Sequence, residues 1–365
     1  MTDVFVAQAY RTPFGRFVQD YAEYRLVDLV AHIINHAKWD FDLAVLGSAL
    51  TACAGQMPLN HALLNTCKNP HLSGGVVACG HSTGLFALEQ AYNAIQSSKN
   101  CSVLAIGAES LSHTPHLIAG LRQGITRGLC LVSDHVITDL LIEYDSQRRL
   151  SEVVESFCRT QSMERKQLDH YTLEAYKHTL KHLSVLQNCI VPLEPLKHDV
   201  MFDDLRPLQI ETDKPIFGVE GILTNSHVAT WADGACGVLL SNEPDQIKLS
   251  TIIHYYNPQL TQVLPGLLCQ ICQKLEWQQE DIDILEISDF KAAFPVQIAQ
   301  IYDYEFKRIN PLGGSLTLGW PMGASSLMHV VHLYHQLLNT NARRGVVLTY
   351  TGGRHALGCA LEKTI

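Results

Sequence analysis

The sequence predicts an α/β protein built from two similar halves, with a polar, helix-rich segment inserted into the first half. Near both ends, continuous apolar runs alternate with amphipathic segments, which is the pattern of a sheet that helices cover on both faces. Residues 80–84 (GHSTG) and 319–323 (GWPMG) each follow an apolar run predicted as a strand, and each opens a helix. Between about residues 112 and 228 the sequence is more polar and is punctuated by prolines. Together these observations indicate a duplicated fold with one large insertion.

Strand and helix signals alternate regularly through the first half. In chain order they are a strand at residues 4–9, a helix at 26–36, a strand at 44–50, a helix at 60–67, a strand, glycine turn and helix across 74–95, and a strand at 101–108. The glycine turn opens a helix N-terminus, where free N–H groups and the helix dipole favour negative charge. This turn is therefore the first candidate site in the chain.

The second half repeats these signals after the insertion. Strands are predicted at residues 282–287 and 345–349, and a helix follows the GWPMG motif, with Leu327, Val331 and Leu338 on one face. The predicted organisation is a first half formed by residues 1–111 and 232–247, an inserted segment at 112–231, and a second half at 248–365.

Composition narrows the classes of function. The chain has 365 residues and a formal net charge of −9, and it contains no block of Lys and Arg. This argues against a nucleic-acid-binding protein and against a membrane-surface protein. We see no signal peptide, no apolar run long enough to cross a bilayer, and eleven scattered cysteines. A cytoplasmic protein with reduced thiols is therefore expected.

No metal site is predicted. Cys269 and Cys272 lie in an apolar helical run and lack a second pair at zinc spacing, so they are interpreted as core residues. His329, His332 and His335 recur every three residues, and this spacing drifts around a helix. We expect them to form a surface stripe or a dimer contact.

Several motifs, in order along the whole chain, resemble the thiolase family. Residues 11–15 (RTPFG) resemble the family's opening, 107–112 (GAESLS) its GGMESMS, 232–235 (ADGA) its NDGA, 313–325 its GGAIALGHPxGAS, and 352–353 the end of its CxGGG. The resemblance implies two βαβαβαββ halves in a five-layer αβαβα core with an inserted loop domain. It also implies dimers or dimers of dimers that make or cleave 3-ketoacyl-CoA through an acyl-cysteine.

The same resemblance assigns the four catalytic positions, and all four are changed. Counting from flanking motifs places His81 at the nucleophilic cysteine, Ser288 at the asparagine, Trp320 at the histidine and Tyr350 at the second cysteine. The intervals support this register, because 320 − 288 = 32 and 350 − 320 = 30 match the family without gaps. A histidine cannot form the family's acyl-thioester, and an indole N–H donates a hydrogen bond but takes no proton. The family's mechanism is therefore expected to be absent.

For the ligand, the resemblance implies CoA or an acyl-CoA and no required cofactor. Ala229 occupies the position of a serine that lies near the pantetheine in the family. Gly323 and Ser325 fall in the family's CoA region.

Three functions stay open at this stage. The first, which we favour, is a catalytically degenerate homologue that acts as a subunit or binding partner, as a homodimer or with another thiolase-pathway subunit. The second is a CoA-ester carbon–carbon lyase of the retro-aldol type, with His81 as general base and Tyr350 as acid or base. The third is an acetyl-CoA C-acyltransferase with Cys79 as a displaced nucleophile, although Cys79 lies two residues before the nucleophile position.

Overall fold

A computed structural model describes residues 2–37, 40–66, 72–97, 101–200 and 210–364. Twelve strands are assigned there, and ten of them belong to one twisted sheet system. The strands are β1 (Phe5–Arg11), β2 (Gly15–Arg16), β3 (Leu43–Gly47), β4 (Ser73–Val77), β5 (Ser102–Glu109), β6 (His116–Leu117), β7 (Ser133–Asp134), β8 (Ala232–Ser241), β9 (Ile247–Tyr256), β10 (Ile284–Ile287), β11 (Arg344–Gly352) and β12 (His355–Lys363).

The helices fall into two groups, those of the duplicated halves and those of the inserted segment. They are α1 (Leu26–Asn35), α2 (Pro58–Leu64), α3 (Thr83–Ser97), α4 (His135–Leu140), α5 (Leu150–Thr160), α6 (Arg165–Lys181), α7 (Leu183–Asn188), α8 (Val263–Leu275), α9 (Ala293–Tyr302), α10 (Ser315–Leu318) and α11 (Met322–Asn339).

The sheet system consists of two similar sheets. The first half has the order β4-β3-β5-β8-β1, and the second has β10-β11-β12-β9. They meet at one register pair, Phe5 with Lys248. An isolated parallel bridge between Ile309 and Leu285 lies beside β10. Ile309 therefore lies at the edge of the second sheet, in the position that β4 has at the edge of the first. The two halves share one strand order.

Helices cover both sheets and fill the space between them. α1 and α2 pack on the outer face of the first sheet, and α8 covers the outer face of the second. Between the sheets, α3 packs on α11, and α11 also contacts strands of both sheets. The layers therefore run αβαβα, as expected for the duplicated fold.

The elements predicted in the two halves are present, with two corrections. The run before residue 319 is the one-turn helix α10 and not a strand. The histidines of α11 are not a surface stripe, since His329 and His332 are fully buried and His335 is bonded to the Ala9 carbonyl at 2.9 Å. α11 is the central helix and has strands on opposite sides, so its polar positions also face protein. His329 Nδ1 lies 2.8 Å from Oε2 of the buried Glu286.

The central helices approach closely because glycines line their contact. A Cβ at Gly84 would lie 2.6 Å from the Gly323 carbonyl oxygen, and one at Gly107 would lie 2.7 Å from the same oxygen. The Ser326 hydroxyl accepts a hydrogen bond from the Leu85 N–H at 3.0 Å. A side chain at Gly84 would push the N-termini of α3 and α11 apart, and one at Gly107 of β5 would push both helices away from the sheet. The two glycines therefore set the distances around the two candidate site turns.

The buried side chain of Glu109, at the end of β5, joins the two halves. One carboxylate oxygen accepts from the Ser48 hydroxyl at 2.9 Å and the Leu50 N–H at 3.2 Å. The other accepts from the Ala49 N–H at 2.9 Å and the Gly323 N–H at 3.0 Å. Gly323 lies in the first turn of α11, so a carboxylate from the first half caps the helix of the second.

The segment between β5 and β8 carries α4–α7 and folds against both halves. Its Asp199 forms a buried bidentate pair with Arg11 of β1, at 2.6 and 2.8 Å. The inserted segment therefore docks on the start of the chain. No helix among the described residues is both long and apolar enough to cross a membrane.

Removing the Glu109 carboxylate should weaken the contact between the two halves and destabilise the fold. We expect Glu109→Ala to lower the free energy of unfolding by ~3 kcal/mol, because the buried N–H groups of Leu50 and Gly323 and the partly buried N–H of Ala49 lose their acceptor. Denaturant unfolding measures the change. Glu305→Ala removes a mostly exposed carboxylate and should cost under ~0.5 kcal/mol. Equal losses in the two variants would contradict the role assigned to Glu109.

Candidate active site

Four chain segments meet where the two halves face each other. His81 lies in the turn before α3, and Trp320 lies in the turn before α11. Ser288 follows β10 and donates its backbone N–H to the Leu348 carbonyl at 2.9 Å, while Tyr350 lies further along the same strand, β11. All four side chains are buried, each at most 3 % exposed. The four positions that resemble the family's catalytic residues are thus buried in this one region.

Aromatic rings fill this region. The indole of Trp320 stacks on the ring of Phe290, with centroids 4.7 Å apart and planes 6° apart. The His81 ring lies 5.3 Å from the indole and 4.9 Å from Phe290. Phe294 continues the cluster, 5.4 Å from Phe290 and 5.2 Å from Tyr350. Sequence reasoning missed Phe290 and Phe294. The available signal was that both phenylalanines closely follow Ser288, a predicted site position, in the sequence.

Backbone contacts hold Trp320 in this cluster. Its N–H donates to the Thr230 carbonyl at 2.8 Å, and its own carbonyl accepts from the Ala232 N–H at 3.4 Å. The indole Nε1 has no hydrogen-bond partner among the described residues. A buried indole N–H without a partner costs free energy, so ring packing is what stabilises Trp320 here.

His81 is held as a neutral ring. Its backbone N–H donates to the Thr351 carbonyl at 3.1 Å, and its Nδ1 has no partner within the described part of the chain. Burial lowers the pKa of His81 to about 4, with a smaller contribution from the positive charge of Lys291. The imidazole therefore stays uncharged at neutral pH and is a weak base, and no described carboxylate orients it.

The hydroxyl of Tyr350 is bonded to the inserted segment. It donates to Oε1 of the buried Glu143 at 2.7 Å, and the other carboxylate oxygen accepts from the Gly353 N–H at 3.3 Å. Burial, and then the charge of Glu143, raises the pKa of Tyr350 well above its usual value. Arg354 and Asp145 form a further ion pair beside this contact. The phenol is thus a fixed donor, and the segment carrying Glu143 closes over the end of β11.

Cys79 is poorly placed for a nucleophile. It is half-buried at the end of the strand segment, and its backbone N–H donates to the Thr83 hydroxyl at 2.7 Å. Burial, with a contribution from the charge of Glu89, raises the pKa of its thiol to about 11. Almost none of it is thiolate at neutral pH, which is the opposite of what thiol catalysis requires.

The three residues of the expected CoA region lie in two different places. Ala229 lines an open groove of about 590 Å³ that also includes Arg16, Phe17, Thr230 and Trp231. Gly323 and Ser325 are buried at the start of α11, where the Gly323 N–H donates to Glu109 and the Ser325 hydroxyl donates to the Met322 carbonyl at 2.9 Å. The structure therefore places only Ala229 on the groove.

Lys291 is a buried amine that sequence reasoning did not assign to the site. The residue is 4 % exposed, and its Nζ donates to the Ser151 hydroxyl at 2.9 Å. Burial lowers the pKa of Lys291 to about 7. A lysine inside the apolar run 287–299 was the signal available in the sequence.

The described residues contain no group of three or more His, Cys, Asp or Glu side chains that could hold a metal ion. All ten cysteines described are unpaired, and Cys272 is buried as expected for a core residue, whereas Cys269 is exposed.

Comparisons with known proteins agree with this architecture. The thiolase N-terminal domain matches residues 4–244, and the thiolase C-terminal domain matches residues 254–363. A probable acetyl-CoA acetyltransferase of Escherichia coli (strain K12) is 25% identical over 399 aligned residues and covers all of both chains. An acetyl-CoA acetyltransferase of Chromobacterium violaceum is 26% identical, covering 99% of this chain and all of that one.

Solved thiolase structures superpose over the whole chain. The Acat5 thiolase of Ascaris suum, solved in complex with coenzyme A, has a TM-score of 0.92 at 22% identity, covering 99% of this chain and 100% of that one. Human mitochondrial 3-ketoacyl-CoA thiolase also has a TM-score of 0.92, at 19% identity, covering 100% of this chain and 99% of that one. With both domains matched along nearly its entire length, the chain belongs to the thiolase family.

Proposed function

We propose that this member of the thiolase family is degenerate for Claisen and thiolytic chemistry and acts as a CoA- or acyl-CoA-binding homologue or subunit. The observation that carries the proposal is the stack of Trp320 on Phe290, with His81 against both rings. These rings occupy the region where the family resemblance places the nucleophile and its base. Thiolase chemistry needs a thiolate, a base and a proton-donating second thiol, and none of the four positions supplies one.

The two catalytic alternatives fit the site less well. A retro-aldol reaction needs room for substrate beside a base and an acid, but His81 and Tyr350 are both buried and the phenol hydroxyl is already bonded to Glu143. An acyltransferase that uses Cys79 needs a thiol that ionises readily, and burial raises the pKa of this one to about 11.

The groove supports a retained ligand of the CoA type. It is open to solvent and lined by Ala229, and its lining includes the aromatic side chains of Phe17 and Trp231. Arg16 also lines it, with a guanidinium that is paired with Asp20 at 3.1 Å and a side chain that is 38% exposed. Aromatic faces suit an adenine or a pantetheine chain, and a guanidinium suits a phosphate. CoA could bind in this groove without entering the region that His81, Phe290 and Trp320 fill.

Self-association is supported by the free edge of the first sheet. β4 ends the strand order, so among the described residues nothing pairs with its outer side. An unpaired edge is a template for another strand, and we propose that β4 pairs with β4 of a second copy.

We also propose a cytoplasmic location. The ten cysteines that the structure describes are all unpaired, which is consistent with a reducing compartment.

The first prediction from the proposed function concerns turnover. Purified protein should cleave acetoacetyl-CoA at least ~10³-fold more slowly than a bacterial acetyl-CoA acetyltransferase assayed alongside it, because nucleophile and base are both missing. His81→Cys alone should stay inactive, since Trp320 and Phe290 still occupy the region and no base is restored. Turnover in the unmodified protein that disappears in Cys79→Ala would overturn the proposal in favour of the displaced nucleophile.

The second prediction concerns CoA. Calorimetric titration should show saturable binding of CoA, weakened ~10-fold in Arg16→Glu, because the variant places a negative charge where phosphates approach. Lys274→Glu makes the same charge change on the exposed face of α8 and should leave the affinity within ~2-fold. Binding that responds equally to both variants, or no binding at all, would argue against the groove as the CoA site.

The third prediction concerns oligomeric state. Light scattering after size exclusion should give twice the 40.6 kDa chain mass. Gly75→Lys should shift the protein toward monomer, because a lysine on an edge strand disfavours pairing with a second copy. A Cβ at Gly75 meets nothing within 4 Å among the described residues, so the fold itself should tolerate the change. Asn93→Lys, on the exposed side of α3, serves as the charge-matched control. A Gly75→Lys protein that stays dimeric would exclude this edge.

A further inference from the structure

Lys291 is a nucleophilic side chain beside this region that the proposed function does not use. It follows Phe290, which stacks on Trp320, so it lies directly beside the aromatic cluster. Its amine is directed to the inserted segment, where it donates to the Ser151 hydroxyl at 2.9 Å. Among the described residues no carboxylate lies within ion-pair distance of this amine.

The surroundings disfavour a positive charge on Lys291. The side chain is almost fully buried, and Ser151 belongs to the first turn of α5, whose N-terminal end carries partial positive charge. A buried cation without a carboxylate partner is costly, and a lysine in such a place shifts toward its neutral, nucleophilic form. Fixed amines of this kind are typical of covalent chemistry at carbonyl carbons.

The lysine also lies next to the groove. Its backbone bridges that of Val228, and the neighbouring Phe290 carbonyl accepts from the Ala229 N–H at 3.0 Å. Val228 and Ala229 both line the groove. The backbone of Lys291 is therefore separated from the groove by a single extended segment. For the amine to meet a thioester in the groove, its side chain has to leave Ser151 and turn toward that segment.

We propose that Lys291 is an acylation site, which takes the acyl group of a thioester bound in the groove. This rests on the proposed function in so far as the groove holds CoA. Nζ attacks the thioester carbonyl carbon, a C–N bond forms and the C–S bond breaks. The electron pair leaves with sulfur, and the amine proton passes to the released thiolate. The products are an amide at Lys291 and a free thiol, with no oxidation or reduction.

The ionisable groups around Lys291 are few. His81 interacts with it from the turn before α3, and burial keeps that ring neutral, with a pKa of about 4. From α5 the contact is a hydroxyl, and from the segment at Val228 it is backbone. The pH dependence of acylation should therefore follow the amine of Lys291 alone.

The experiment incubates the full-length protein with acetyl-CoA and, separately, with the truncated thioester S-acetyl-N-acetylcysteamine, and locates acetyl groups by peptide mass spectrometry. At pH 7.5 we expect Lys291 to be acetylated at least ~10-fold faster than any exposed lysine, because burial keeps more of its amine in the neutral, nucleophilic form. The rate at Lys291 should level off above a midpoint near pH 7, whereas the rate at Lys166, whose pKa is raised by its hydrogen bond to Glu164, should keep rising with pH.

The controls separate this proposal from the previous one. Lys291→Met removes the amine and leaves an apolar side chain of similar length, and it should abolish the fast phase; Lys166→Met removes a lysine whose side chain is 80% exposed and should not. Acetylation of Lys291 by the truncated thioester but not by acetyl-CoA supports the amine and contradicts CoA binding in the groove. If neither thioester labels Lys291 faster than the exposed lysines, the proposal is overturned whatever the CoA titration gives.

Discussion

The placement of the site depends on the carboxylate of Glu109. It collects N–H groups from the loop after β3 and from the first turn of α11, so it links the two halves at the level of the site. The glycine contact between α3 and α11 then brings the two helix N-termini together. Buried acceptors with several backbone donors tolerate little displacement. The positions of His81 and Trp320 are therefore consequences of a structural contact and need no catalytic role to maintain them.

With the degenerate function proposed above, these structural contacts allow the family's scaffold to persist without the family's site chemistry. A core that lost its catalytic side chains without replacement would contain a cavity, and cavities cost stability in proportion to their volume. Here the volume is filled by stacked rings, and the phenol hydroxyl of Tyr350 is satisfied by Glu143. The indole Nε1 of Trp320 remains unsatisfied among the described residues. Filling the region therefore stabilises the fold through packing more than through hydrogen bonds.

The duplicated architecture could be predicted from the sequence, because hydrophobic periodicity and glycine spacing depend on local backbone conformation and burial. Features that depend on a contact with a distant part of the chain could not. His329 was predicted to lie on the surface or at a dimer contact, but it lies in the core beside Glu286, which is 43 positions away. Glu143 could not be assigned to the site, because only the packed structure places it against Tyr350. α10 was mistaken for a strand because a short apolar run has no readable period.

Packing of side chains into the former catalytic region does not explain the presence of Lys291. Rings that fill a space are explained by packing, and a tyrosine with a carboxylate partner is explained by its hydrogen bond. A buried amine that donates to a single hydroxyl is explained by neither, because an apolar side chain of similar length would occupy the space at lower cost. With the proposed function and the proposed acylation of Lys291, the remaining chemistry belongs to the side of the site that faces the groove, and the turn before α3 serves only the core.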